Sequence, residues 1–304
     1  MNSPAPEQLV DRLDWTIIKR LDGLFQGEYQ TLFRGLGLDL ADLREYSPPD
    51  DVRHIDWNVT ARLQTPYVRI FQEDRELTGW FLIDESASLD TGWGTRIKRA
   101  AALEFVALVA RLLTRRGNRV GAILFGGDRE RVVPEGGGKA HVMRLLKTTG
   151  ASRRQSRSQT DLASALAVFS NIVTRRSALF VVSDFVSKPG WVRPLGGIGR
   201  RHDVLACRIV DPFERSLPSI GIVPVEDAET GDQLLVDTTS RRYRQAYEEE
   251  MQALDASIIN ALSDARVDAL EISTEENLVD VIIRFARLRK AHALARAGGV
   301  SEVA

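Results

Sequence analysis

Cysteine is nearly absent from this 304-residue chain, which holds one. A single thiol rules out a disulfide framework and any cysteine-built zinc cluster, and it suits a reducing compartment. An excess of either charge is lacking too: 41 basic side chains meet 42 acidic ones, a net charge of −1. Without a positive field the chain is not a non-specific nucleic-acid binder. Lysine is scarce, since 35 of the 41 basic residues are arginine, a bias suited to bidentate carboxylate pairing. No apolar run approaches the roughly eighteen residues of a membrane span. The longest candidate, 100–113, is broken by Glu104 and Arg111. Met1 to Glu7 carry no basic stretch followed by an apolar one, so no signal peptide is expected and the cytoplasm is the expected location. A phosphate-loop motif is missing as well. Gly136-Gly137-Gly138-Lys139 has the wrong spacing and reads as a tight turn before a helix.

Against these absences, 43% of the residues are apolar, enough for a folded α/β protein. Val10, Leu13, Ile17, Leu21 and Leu24 form a helical stripe within 7–25. The next stretch, 35–77, is different. Twelve charged residues lie between Arg44 and Glu76, five arginines and seven acids, with one clean strand at 67–71. A segment this charged cannot bury itself as a core, so 1–77 reads as a helix plus a charged piece docked on the main domain. From Thr78 short apolar runs alternate with helical ones. Strands are expected at 79–83, 119–125, 130–133, 178–183, 203–210 and 267–272. Helices are expected near 95–116, 138–148, 161–175 and, more weakly, 190–199. Near-continuous apolar strands indicate a mostly parallel sheet covered on both faces, a doubly wound α/β fold over 78–296. A β-hairpin insertion at 211–238 interrupts it, and a long helix follows with Tyr243, Tyr247, Met251, Leu254, Ile258 and Leu262 in register. Ser273 and Glu276 read as a capping box opening the last helix. Residues 297–304 read as a disordered tail.

The chemistry concentrates after strand 79–83, in Asp84-Glu85-Ser86-Ala87-Ser88. An Asp at the C-terminal edge of a central parallel strand lies where doubly wound sheets bind ligands. Alternate residues leaving the strand can point one way, so Asp84, Ser86 and Ser88 can converge on a hard cation. Oxygen-only, mostly neutral ligands suit Mg²⁺ or Mn²⁺. Thr160 and Asp184 sit in two further loops expected at the same edge. This Asp-x-Ser-x-Ser, Thr, Asp set resembles the metal-ion-dependent adhesion site of von Willebrand factor A domains, and the element order from Thr78 to about Arg289 is similar to that fold. Upstream, Leu43-Arg44-Glu45-Tyr46-Ser47-Pro48-x-Asp50-Asp51-x-Arg53-x-Ile55-Asp56-Trp57, then Thr60-Ala61-Arg62, resembles the signature of the bacterial family called domain of unknown function 58. Pro49 stands where that family more often has a Gly before the Asp pair. The resemblance implies Asp84, Ser86, Ser88 and Thr160 as direct ligands of Mg²⁺, with Asp184 near or acting through water. It also implies a MoxR-type AAA+ ATPase, or a client protein, as partner.

Plainer readings stand beside these. Ser and Asp after a strand are good helix caps, and Asp161 is the expected N-cap of its helix. Asp50, Asp51, His54 and Asp56 are matched by Arg44, Arg53 and Arg62, so an ion-pair network outweighs a second metal or hydrolytic centre. Trp57 and Trp80 read as core or docking aromatics. Cys207 reads as an inert core thiol. The basic loop Ser152 to Arg157 reads as solvated linker or as a rim for an acidic partner. The leading expectation is a non-catalytic, Mg²⁺-dependent interaction module. Its rivals are a metal-dependent hydrolase or phosphatase using Asp84, and a metal-free scaffold. A dehalogenase-type phosphatase would need a second Asp where this chain has Ser86.

Overall fold

Six strands build the sheet that positions everything else. In the computed structural model, residues 42–47, 55, 57, 60–61, 64–70, 78–92, 96–127, 129–150, 160–226 and 232–298 are described. Strand β1 (Asp42–Glu45) pairs antiparallel with β2 (Tyr67–Ile70) as a separate ribbon. The main sheet contains β3 (Thr78–Asp84), β4 (Arg119–Phe125), β5 (Arg131–Gly136), β6 (Ala178–Ser183), β7 (Asp203–Val210) and β10 (Asp268–Ser273). Its order is β10-β7-β6-β3-β4-β5. All neighbours run parallel except β4 and β5. The chain thus fills one side of β3 with β4 and β5, and then crosses to fill the other with β6, β7 and β10. Connections leaving β3 and β6 diverge, which opens a crevice between the C-terminal ends of those two strands.

Period-two alternation feeds two cores, one on each face. Phe81 and Ile83 join one cluster with helices α1 (Lys98–Arg115), α2 (Gly138–Gly150) and α6 (Leu278–Gly298). Trp80 and Leu82 join the other with α3 (Leu162–Ile172), α4 (Val192–Gly199) and α5 (Arg241–Ala265). Phe81 stacks on Phe180 with ring centroids 5.1 Å apart. Gly121 is required beneath Trp80, because a Cβ there would stand 2.8 Å from the indole. Cys207 is fully buried, as expected. Among the described residues no helix is long and apolar enough to cross a membrane.

Several expectations shift. Strand 130–133 becomes the longer β5, antiparallel to β4, so the sheet is parallel except at this edge. The last helix opens at Leu278 with Asn277 as cap, its Oδ1 accepting from the Val279 N–H at 3.0 Å. Ser273 instead takes the Glu275 N–H at 3.2 Å. The capping box fails because Arg96 holds the carbonyls of Ser273, Thr274 and Glu276 in a non-helical bend. Of the long-helix stripe, Ile258 and Leu262 are buried while Tyr243 and Leu254 are exposed, since only the C-terminal part of α5 packs on the sheet side. Trp80 is a core aromatic, but Trp57 is 69% exposed and is not. The hairpin insertion forms as β8 (Ile222–Glu226) paired with β9 (Gln233–Asp237). The 7–25 helix, the loop 152–157 and Asp50, Asp51, Arg53, His54, Asp56 and Arg62 lie outside the described residues.

Candidate metal centre at the sheet edge

At the crevice, polar side chains are buried where a core would ordinarily be apolar. Asp84, Glu85, Ser86, Thr160, Ser183, Asp184 and Lys98 are all buried, a concentration that needs a chemical reason. Asp84 ends β3. Its Oδ1 accepts from the Ser86 N–H at 2.8 Å, and its Oδ2 accepts from the Ser183 hydroxyl at 2.6 Å. Ser86 Oγ and Ser88 Oγ lie 3.0 Å apart. Thr160 precedes α3, and its carbonyl accepts from the Lys188 N–H at 3.0 Å and the Ser187 hydroxyl at 2.9 Å. The Thr160 loop is thereby stitched to the loop that carries Asp184. Asp161 caps α3 as expected, accepting from the Ser164 N–H.

Electrostatics bind Asp84 and Asp184 into one unit. Burial, reinforced by the nearby Asp184 carboxylate, pushes Asp84 up to about 6, against the hydrogen bonds from Ser183 and Ser86. Asp184 is itself countered by Lys98, whose Nζ stands 3.1 Å from Oδ2. The same ammonium reaches Glu214 at 2.8 Å. Burial by itself lowers the Lys98 pKa, but Asp184 and Glu214 outweigh it and the ammonium is held above its ordinary value. Glu85 takes Arg131 in two bonds of 2.9 and 2.6 Å. Its carboxyl is raised by burial and pulled back by that guanidinium.

The donor set decides which ions fit. Among the described residues no group of three or more His, Cys, Asp or Glu side chains could hold a metal, which leaves two carboxylates and several hydroxyls here. That set suits a hard cation. Adjacent ligands of an octahedral Mg²⁺, each about 2.0–2.1 Å from the ion, stand about 2.9 Å apart. The Ser86 and Ser88 hydroxyls, hydrogen-bonded to each other at 3.0 Å, already stand at that spacing. Space is kept open by Gly126, in the left-handed region at φ +84. A Cβ there would stand 2.7 Å from Asp84 Oδ1 and 2.8 Å from the Ser86 nitrogen.

Four participants escape a reading of the sequence. Ser183 looks like the end of an apolar strand, Lys98 like a solvated helix residue, Glu214 like part of the insertion and Gly126 like an ordinary turn. Only Gly126 carried a local signal, the Gly-Gly pair after an apolar run. A further oddity is Phe185, a buried aromatic at φ +63 whose ring packs on Trp191. A bulky residue in that conformation is strained, and it directly follows Asp184.

Counted in chain order, the six strands of the main sheet lie 3-2-1-4-5-6 with one antiparallel edge strand, a von Willebrand factor A-like α/β arrangement. Within that class the chain belongs to the family described as "Protein of unknown function DUF58", which matches residues 42–257. Uncharacterized protein Rv1480 of Mycobacterium tuberculosis is 34% identical over 298 residues, covering 97% of this chain and 93% of that protein. Uncharacterized protein MAV169 of Mycobacterium avium is 31% identical over 166 residues, 54% of this chain and 96% of its own length. Among solved structures, the conserved hypothetical protein BatB from Bacteroides thetaiotaomicron is similar at 14% identity and TM-score 0.43, with coverage of 71% and 98%. The SpRpn10 VWA domain is similar at 12% identity and TM-score 0.37, with coverage of 69% and 94%.

Proposed function

We propose that this protein is a non-catalytic interaction module that holds Mg²⁺, or Mn²⁺, at the β3/β6 crevice and uses it to take a carboxylate from a partner. The supporting observation is the buried oxygen cluster itself, with Asp84 raised to about 6 and two hydroxyls at octahedral spacing. Asp84, Ser86, Ser88 and Thr160 would hold the ion. Asp184, already engaged by Lys98, would act from the second layer through water. Few anionic ligands leave a divalent ion electrophilic enough to accept an outside carboxylate. By family resemblance the partner is a MoxR-type AAA+ ATPase or its client, with ATP turnover supplied by that partner. A phosphatase reading is weaker, because a dehalogenase-type enzyme needs a second Asp where this chain has Ser86.

Two measurements test the reading. Mg²⁺ should raise the melting temperature, since a ligand that binds only the native state stabilises it. A pull-down should capture the ATPase or client with Mg²⁺ and lose it with EDTA or in Asp84→Ala. An unchanged melting curve at saturating Mg²⁺, or partner retention under both treatments, overturns the proposal. Phosphoester turnover that vanishes in Asp84→Asn would turn it into the hydrolase.

A further inference from the structure

Between Gly136 and Thr160 the chain carries Lys139, Arg144, Lys147, Arg153, Arg154 and Arg157 and not one acidic residue. In a protein of net charge −1 that is a strong local asymmetry. Helix α2 occupies the first half of this stretch and flanks β5, the edge strand of the sheet. Among the described residues no strand pairs beyond β5. The consequence is a groove of about 560 Å³ lined by Arg131, Ala140, Met143, Arg144, Lys147 and Thr148. Five of these share one helix face at spacings of three and four residues. Arg144 and Lys147 are exposed, and none of the lining residues is acidic.

One ion pair links the groove to the crevice. Arg131 lines it from the start of β5 and holds Glu85, the residue after Asp84. The basic stretch ends at Thr160, on the same edge. We infer that this groove is a docking site for an acidic peptide segment of the protein partner, lying along α2 toward the metal edge. Two exposed cations, Arg144 and Lys147, supply charge complementarity and steering. Met143 and Ala140 give a soft apolar floor for intervening aliphatic side chains. Nucleic acid fits less well, because no aromatic ring lines the groove for bases to stack on. Only the expectation that groove and crevice serve one partner rests on the metal-edge reading.

The test uses the full chain and a short fluorescein-labelled peptide of glutamates interrupted by leucines. Anisotropy should report binding in EDTA that weakens as salt rises. The double variant Arg144→Glu/Lys147→Glu should lose about tenfold or more in affinity, while its Mg²⁺-dependent rise in melting temperature stays as in the parent. Arg144→Gln/Lys147→Gln serves if charge reversal impairs folding. Equal affinity in a folded variant overturns the proposal, as does equal competition by an oligonucleotide of matching charge. An effect of the groove variants without any Mg²⁺ response would sink the metal reading alone. A Mg²⁺ response without any effect of the groove variants would sink the groove alone.

Discussion

Asp84 sits at the centre of two opposing demands. Packing places its carboxyl in the protein interior, beside a second carboxyl, where charge is expensive. A cation site needs it charged. Its pKa is raised from the ordinary 3.8 to about 6, so the folded chain binds this proton more tightly than the unfolded one. Stability from the group is therefore complete below about 3.8 and declines as pH rises toward 6. At neutral pH, without a divalent ion, the charged form costs about 1–3 kcal/mol. Asp84→Asn should thus melt higher than the parent in EDTA at pH 7, with the gap closing toward pH 4. Saturating Mg²⁺ should stabilise the parent and leave the variant where it was. Thermal melts at the two pH values check this, and a variant less stable than the parent in EDTA at pH 7 would contradict it. Asp84, Ser86 and Ser88 were readable because they are close in sequence. Ser183 and Lys98 were not, because a strand-ending serine and a lysine at a helix start each have an ordinary explanation. Only the folded neighbourhood makes them part of the cluster.

Elements tell a similar story. The long apolar runs of β3, β4, β6 and β7 were legible because burial on both faces removes polar residues from a strand. The direction of β5 was not, since its half-exposed pattern reads the same in either orientation. The cap of α6 was misassigned because Arg96 reaches from a distant loop to hold the preceding bend. The β4–β5 turn carries the element-level prediction. Gly126→Ala would force a side chain into the left-handed region and against Asp84 and Ser86. It should cost about 1–3 kcal/mol of stability, readable in urea unfolding, and it should abolish the Mg²⁺ effect on melting. An alanine variant that keeps the full Mg²⁺ response would show that the space beside Asp84 is not needed for the ion.

Across the whole molecule, Lys98 is the connection that matters most. It opens α1, where a cation opposes the helix dipole, and it is held there by Asp184 after β6 and Glu214 after β7. Three segments far apart in sequence are thus tied at one buried ammonium. Lys98→Met should remove about 3–5 kcal/mol, because it leaves Asp184 buried without its counter-charge. Mg²⁺ should restore part of that loss by supplying positive charge nearby. Chemical denaturation with and without Mg²⁺ reads both effects, and equal losses in the two conditions would separate Lys98 from the cation site.

The Ser183–Asp84 hydrogen bond joins residues 99 positions apart, across a helical crossover and an entire hairpin. During synthesis the oxygen cluster cannot exist when β3 leaves the ribosome. It assembles only after β6 has been made and has slotted in beside β3. A partner that gripped this crevice would therefore meet the Asp84–Ser183 pair only in chains long enough to have made β6 and paired it with β3.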